Sequence, residues 1–170
     1  MCDQRRTTRL YIVGAGPVGQ RVARLAVDLD FQVTVIDERS DWVKAKNFPD
    51  SVQLLGGALE TILPPLPLGP DDFVAIVMQV WQRDARALEL LVPRPLAYLG
   101  MIGCRRKLDE IFPSLLRAGV SEPMLAKVKA PIGLKIGSRT PAEIAISICA
   151  ELVAIRSDCE KPPSGPTVGR

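Results

Sequence analysis

The chain has 170 residues, 47% of them hydrophobic, and a formal net charge of +3. This length and apolar content predict one domain with a hydrophobic core and exclude an intrinsically disordered chain. The near balance of charge gives no basis for binding to nucleic acid or to a membrane surface. No apolar run approaches the length of a membrane span, and the run at residues 10–13 is too short for a signal peptide, so we expect a cytoplasmic protein.

The sequence lacks several residue types on which common catalytic sites depend. It contains no histidine, which excludes Ser-His-Asp and Cys-His catalysis and every His-ligated metal site. The four cysteines form no CxxC pair, and their spacing suits neither a zinc site nor a disulfide framework. We therefore predict no metal site. Any proton transfer would fall to Asp, Glu, Lys, Tyr, Cys or a bound cofactor.

Strands and helices alternate along the chain, judged by the spacing of apolar residues and by the positions of Gly and Pro. In chain order the predicted elements are strand 10–13, helix 17–29, strand 31–36, a short helix at 42–46, strand 52–55, a proline-rich loop at 62–70, strand 73–78, helix 83–91, strand 96–99, helix 105–117 interrupted by Pro113, a glycine-containing loop at 131–139, and a helix from 141 to about 155.

This alternation predicts an α/β fold, a Rossmann-like doubly wound and mainly parallel sheet with helices on both faces. We expect a single domain at residues 9–157. Residues 1–8 are polar and predict a flexible N terminus. Residues 158–170 are rich in Pro, Gly and Ser and predict a disordered tail.

The strongest motif is a glycine-rich turn between the first predicted strand and the first helix. Gly14 permits a tight turn, Gly16 lets a pyrophosphate approach the backbone, and Gly19 lets the helix pack close to the strand. Pro17 and Val18 open the helix, whose free amides and dipole favour a phosphate. The alternative is that the fold persists without a nucleotide or with another ligand in the crevice.

An acidic residue ends the second predicted strand, as it does in many dinucleotide-binding domains. Asp37 lies 23 positions after Gly14, close to the usual spacing. Its carboxylate would bind ribose hydroxyls and repel a 2′-phosphate, so NAD would bind more tightly than NADP. Arg39 is near enough in sequence to soften that repulsion.

A second cluster at residues 100–107 follows a strand and opens a helix, which places it at the ligand-binding edge of a doubly wound sheet. Its two glycines, one thiol and three cations could hold an anionic group. The candidate binding residues are Gly103, Cys104, Arg105 and Arg106. The alternative, equally supported, is that these cations form only the solvated face of a helix.

Cys104 is also a candidate for a chemical role of its own within that cluster. A helix N terminus and two adjacent arginines favour the thiolate, which predicts a reactive thiol. Such a thiolate could carry a persulfide near a bound cofactor. The alternative is that the position needs only a small side chain that caps the helix.

A third glycine-containing loop leads into the last predicted helix. Thr140, Pro141 and Glu143 form a strong helix start with a capping box. Gly133, Arg139 and Thr140 are candidates for a second anion site. The alternative, which these residues favour slightly, is a connection that needs flexible glycines.

Together these clusters resemble the C-terminal domain of the xanthine dehydrogenase accessory factor (XdhC/CoxI) family. The resemblance covers about residues 10–156, nearly the whole chain. The matching stretches are YIVGAGPVGQRVARLA, TVIDER, AYLGMIGCRRK and APIGLKIGSRTPAEIAISICAELVAIR. The last two are far more specific than a glycine-rich turn and separate this family from ordinary dehydrogenases.

The resemblance implies a Rossmann-like fold and a maturation role for a molybdenum hydroxylase. Such a protein binds the molybdenum cofactor (molybdopterin, in some cases extended to a dinucleotide), holds it during sulfuration by a cysteine desulfurase, and delivers it to the apo-enzyme. It is a cofactor-binding chaperone rather than a classical enzyme. We also expect a homo-oligomer. The competing hypothesis is an NAD(H)-binding oxidoreductase or a nucleotide-sensing domain.

Two departures from the family pattern stand out. Family members usually carry a second, N-terminal domain, which would here be a separate polypeptide unless the chain is a reduced paralogue. Many also have a Thr-His pair after the strand at 73–78. Here Gln79, Val80, Trp81 and Gln82 occupy a segment that is one residue shorter, without histidine.

Overall fold

The computed structural model of the chain describes residues 7–159. Five strands form one sheet in the order β3-β2-β1-β4-β5, and every neighbouring pair is parallel. The strands are β1 (Arg9–Val13), β2 (Gln32–Asp37), β3 (Gln53–Gly56), β4 (Phe73–Ile76) and β5 (Tyr98–Met101). This sheet confirms the predicted doubly wound, Rossmann-like architecture.

Helices cover both faces of the sheet, as parallel strands require. They are α1 (Pro17–Asp28), α2 (Leu59–Ile62), α3 (Trp81–Leu91), α4 (Arg105–Arg117), α5 (Glu122–Leu125) and α6 (Pro141–Cys159), with a short 3-10 helix at Ala45–Asn47. Among the described helices, none is both long and apolar enough to cross a membrane.

Alternate strand residues supply two separate hydrophobic cores. On one face Leu10 and Ile12 of β1 pack with buried residues of α1 and α6. On the other face Tyr11 and Val13 pack with α2, α3 and α4. Because side chains of successive strand residues point to opposite faces, each strand contributes to both cores.

Helices α1 and α6 lie side by side and run in the same direction. Arg156 Nη1 near the end of α6 donates to the Leu29 carbonyl at the end of α1 (2.8 Å), and earlier in α6 the Cys149 thiol lies 3.9 Å from the Val22 carbonyl. The start of α6 therefore lies at the same edge of the sheet as the glycine-rich turn that opens α1. This is the carboxyl edge, where ligands bind in open parallel sheets.

The structure differs from several of the predicted elements. Helix α4 continues through Pro113 instead of breaking there. Helix α6 runs to Cys159, so Asp158 and Cys159 are helical and do not belong to a tail. Strand β5 lies two residues later than predicted. Ile62, assigned to a loop, ends the short helix α2, and α5 was not predicted.

The N-terminal prediction also changes at its boundary. The Gln32 amide donates to the Thr8 carbonyl (3.0 Å), so Thr8 is already tied to β2. The rest of the predicted flexible N terminus (1–6) and of the predicted tail (160–170) lies outside the described residues.

Candidate functional site

Two glycines of the glycine-rich turn are required by packing. Gly14 has φ +124°, and a Cβ there would lie 2.9 Å from the carbonyl carbon of Val77. A Cβ on Gly19 would lie 1.9 Å from the carbonyl oxygen of Gly14. Only glycine permits this contact between the first turn of α1 and the end of β1, as the sequence predicts.

Gly16 differs, because the space beside it is open. It has an ordinary extended conformation (φ −70°, ψ −175°), and a Cβ there would approach only Trp42 Cζ3, at 3.7 Å. The first amide to bond within α1 is that of Gln20, which donates to the Gly16 carbonyl (2.9 Å). The amides of Val18 and Gly19 precede that bond, and Pro17 has none, so the helix start presents two amides beside an open backbone.

Asp37 lies beside this turn with its carboxylate already engaged. Its Oδ2 accepts from the Ala15 amide (2.7 Å) and from Arg39 Nη2 (2.7 Å), while Oδ1 accepts from the Arg39 amide (3.0 Å) and Nε (2.9 Å). Burial alone would raise the pKa of Asp37, but these hydrogen bonds outweigh it and lower the pKa. The carboxylate that the sequence assigns to ribose therefore holds the turn and Arg39.

Two contacts near the turn were not foreseen from the sequence. The Arg39 guanidinium carbon lies 4.4 Å from the centre of the Trp42 ring, so a cation–π pair stands next to Gly16. Arg83 Nη1, in the first turn of α3, lies 2.7 Å from Oε2 of Glu38. This ion pair connects the end of β2 to the start of α3, which follows β4, although β1 lies between β2 and β4 in the sheet.

The second cluster begins as expected at the carboxyl end of β5, but only part of it faces solvent. Cys104 is the N-cap residue of α4; it is exposed and its thiol makes no capping hydrogen bond. Arg106 is exposed, and the side chain of Arg105 lies outside the described part of the structure. A Cβ on Gly103 would lie 3.2 Å from Lys107 Cδ, so this glycine makes room for the lysine.

Lys107 is not available to bind an anion. The prediction that all three cations of this cluster could hold an anionic group is therefore wrong for Lys107. Its ammonium forms an ion pair with Asp84 of α3 and donates to the Ile102 carbonyl (3.3 Å). The Asp84 side chain is 0% exposed and that of Lys107 is 16% exposed. Burial raises the pKa of Asp84 to about 6, against the opposing effect of Lys107 and of the Met78 amide.

The third cluster shows mainly structural contacts. Glu143 Oε2 accepts from the amides of Arg139 (2.7 Å) and Thr140 (3.0 Å), and the Glu143 amide donates to Thr140 Oγ1 (3.2 Å). This is the predicted capping box, and it uses two amides that an anion would need. Gly133, with φ +96°, packs so tightly on α6 that a Cβ would lie 2.4 Å from Ser147 Oγ.

The structure thus brings Gly14, Gly16, Gly19 and Asp37 together in one place. The Gly103–Arg106 turn lies on the same edge of the sheet but two strands away from β1, with residues 77–80 between the two turns. The ion pair of Asp84 and Lys107, which joins α3 to α4 beside the Gly103–Arg106 turn, was not among the predicted site residues.

The chain is similar to several known proteins. The family model of the XdhC Rossmann domain matches residues 10–152. The uncharacterized protein YqeB of Escherichia coli K12 is 36% identical over 155 residues, which are 88% of this chain and 28% of that protein. A probable xanthine dehydrogenase component of Bacillus subtilis 168 is 31% identical over 148 residues, which are 87% of this chain and 43% of that protein.

A solved structure shows the same relation in three dimensions. The crystal structure of a xanthine dehydrogenase from Bacillus halodurans superposes with a TM-score of 0.80 at 30% identity, covering 94% of this chain and 45% of that one. The chain spans less than half the length of each of these three relatives. Since the family model covers most of the described residues, this chain belongs to the family of XdhC Rossmann domains.

Proposed function

We propose that this chain is an accessory module for a molybdenum hydroxylase of the xanthine dehydrogenase type. In this proposal it binds the molybdenum cofactor, as molybdopterin or its dinucleotide, and assists sulfuration and insertion of that cofactor. The observation that carries the proposal is the open backbone at Gly16 beside the helix-start amides, in a chain of the XdhC family. The names of the Bacillus relatives, each a xanthine dehydrogenase or a component of one, support the choice of target enzyme.

The phosphate of the cofactor fits the donors at this turn. The amides of Val18 and Gly19 would donate to it, and the absence of a side chain at Gly16 leaves room for its approach. Arg106 would add positive charge from the neighbouring turn on the same edge. When bound, the cofactor would supply the molybdenum chemistry of the hydroxylase, while this chain would hold and orient it.

The proposed partners are the apo-hydroxylase and a cysteine desulfurase that supplies sulfur. We also propose that the chain forms a homo-oligomer. Native mass spectrometry of protein purified from cells that make the cofactor would test the central claim. We expect a bound mass equal to molybdopterin or its dinucleotide, absent from protein made in cofactor-deficient cells. A bound mass equal to NAD in both preparations would contradict the proposal.

A second candidate function is NAD(H) binding, favoured by the Asp37 carboxylate at the end of β2 beside the turn. We expect NAD to bind more tightly than NADP.

The Arg39 guanidinium neutralises the Asp37 carboxylate. Arg39→Ala should therefore raise the NAD-to-NADP affinity ratio at least about tenfold, because a freed carboxylate repels the 2′-phosphate. Calorimetry with both dinucleotides measures the ratio, and Arg117→Ala on exposed α4 surface is the control. Tighter binding of NADP to the unaltered chain would mean that Arg39 governs the site.

Thiol reactivity tests the proposed part of Cys104 in sulfur handling. Cys104 is exposed, whereas burial raises the pKa of the Cys149 thiol to about 12. We expect iodoacetamide to label Cys104 rapidly at pH 7.5 and Cys149 only after unfolding, as measured by peptide mass spectrometry. Labelling of Cys104 no faster than a model thiol would contradict a reactive role.

A second experiment tests whether the thiol takes part in delivery of the cofactor. Cys104→Ser should keep cofactor affinity and reduce delivery of active cofactor to the hydroxylase. Unchanged delivery would show that the thiol has no part in it.

A further inference from the structure

A pocket lies at the amino edge of the sheet, opposite the glycine-rich turn. It has a volume of about 320 Å³ and lies beside the start of β5 and α5. Its lining comes from the segment between α3 and β5, from β5 itself, and from α5 and the segment that follows it. The lining residues are Val92, Arg94, Leu96, Ala97, Leu99, Met124, Ala126, Lys127 and Lys129.

The charged residues that line this pocket are all positive. Arg94, Lys127 and Lys129 provide three cations, and the pocket has no acidic residue in its described lining. The remaining residues are apolar, including Met124, which is 39% exposed. An apolar floor with cations at the rim matches a small organic molecule that carries a carboxylate or phosphate.

Arg94 is held in place before any ligand arrives. It stands between Pro93 and Pro95, and its amide donates to the Leu91 carbonyl (2.9 Å). Its guanidinium donates to the carbonyls of Pro64 (3.1 Å) and Leu66 (2.7 Å) in the proline-rich loop. These are neutral acceptors, so the positive charge stays available, and the stiff backbone lowers the entropic cost of binding.

The opposite wall is also fixed. Lys129 donates its amide to the Leu99 carbonyl (2.9 Å) and accepts from the Met101 amide (2.9 Å), so this segment extends the sheet beside β5. The Lys127 amide donates to the Met124 carbonyl (3.3 Å). These hydrogen bonds fix the backbone of both lysines, which lie on either side of buried Val128.

We propose that this pocket is a second binding site, separate from the carboxyl edge, for a small organic anion. The volume is at the lower end for small-molecule sites, which limits the ligand to a compact apolar body with one anionic group. Carboxylates and phosphates share the required chemistry. The site does not depend on the proposed cofactor function, because none of its lining residues belongs to the glycine-rich turn or to the Gly103–Arg106 turn.

The experiment is an NMR titration of the ¹⁵N-labelled full chain with three probes of similar shape. Benzoate and phenyl phosphate carry the anion, and benzyl alcohol is the neutral control. We expect saturable amide shifts at residues 96–99 and 124–129 with one or both anions and not with benzyl alcohol. Lys127→Gln and Lys129→Gln should each weaken that binding about tenfold, as for a charge-assisted contact, while Lys46→Gln on other exposed surface should not.

Each other result overturns the proposal in a distinct way. No saturation at millimolar anion would show that the pocket is solvated surface. Saturation with benzyl alcohol as well would make it a purely apolar cavity. Shifts confined to residues 14–19 would assign the anion to the glycine-rich turn. Gly16→Val offers a further check, since anion binding at the amino edge should survive that change even if cofactor binding is lost.

Discussion

Lys107→Met is expected to lower the free energy of unfolding by about 3 kcal/mol at pH 8, because removing one partner of a buried ion pair leaves the other charge uncompensated. The partner is Asp84, whose side chain is fully buried. Methionine keeps the length of the aliphatic chain that packs beside Gly103, so the change removes charge with little loss of packing.

The loss should shrink as the pH falls. The folded-state pKa of Asp84 is raised from an ordinary 3.8 to about 6. The contribution of Asp84 to stability is therefore fully present below pH 3.8 and is lost as the pH rises through 6. Without Lys107 this pKa rises further, so the variant goes on losing stability above pH 6. At pH 5 Asp84 is mostly protonated in both proteins, and their difference should fall to about 1 kcal/mol.

Urea unfolding at pH 5 and pH 8 measures both differences, and Arg106→Met provides the control. Arg106 is the exposed neighbour of Lys107 in the same helical turn, so its replacement should change stability little at either pH. An equal loss for Lys107→Met at pH 5 and pH 8 would show that Lys107 contributes by packing and not by its charge.

The sequence predicted the fold because local signals and the global architecture agree. Five β-branched or apolar runs alternate with helical patterns, and the structure places all five in one parallel sheet. The errors fall where tertiary contacts override local preference. Gly100 suggested the end of a strand, yet it lies inside β5, where a Cβ would come within 2.5 Å of the Tyr98 hydroxyl. Pro113 suggested a break, yet α4 continues through it with packed residues Ile111 and Leu115 on either side.

The sequence contains a signal for the Asp84–Lys107 ion pair. The buried face of α3 contains Asp84, Ala87, Leu88 and Leu91, at helical spacing. Buried Ile111 and Leu115 follow Lys107 at intervals of four residues in α4. An acidic residue therefore lies at the start of the apolar face of α3, and a basic residue lies at the start of the apolar face of α4. Such charges are expected to pair, although which helices are neighbours could be known only once the strand order was established.

The engagement of Asp37 by Arg39 could not be derived from spacing alone. A carboxylate 23 residues after Gly14 is equally consistent with ribose binding and with a structural role at the turn. The structure shows four hydrogen bonds to it from Ala15 and Arg39, which depend on the local path of the backbone after β2. A ligand ribose would have to displace Arg39 or share the carboxylate with it.

Gly16→Val is expected to abolish cofactor binding while the chain stays folded. A valine is compatible with the extended conformation of this residue, and its Cβ would meet only the edge of the Trp42 ring, at 3.7 Å. Its methyl groups would fill the space through which, in the proposed function, a phosphate would reach the amides of Val18 and Gly19. The affinity for the cofactor should fall at least about a hundredfold, because the phosphate loses both its charge-assisted hydrogen bonds and the space that it would occupy. Titration with cofactor measures binding, and circular dichroism monitors the fold.

Gly19→Val in the same turn is the control variant, because it should disrupt the fold and not only the binding of a ligand. Its Cβ would lie 1.9 Å from the Gly14 carbonyl oxygen, a contact that forces α1 away from β1. We therefore expect loss of the folded state for Gly19→Val and loss of ligand alone for Gly16→Val. If Gly16→Val binds cofactor with unchanged affinity, the phosphate does not lie at this turn, and the exposed cation Arg106 beside Cys104 becomes the next place to search. If Gly16→Val unfolds like Gly19→Val, the open space beside Gly16 has a structural role instead.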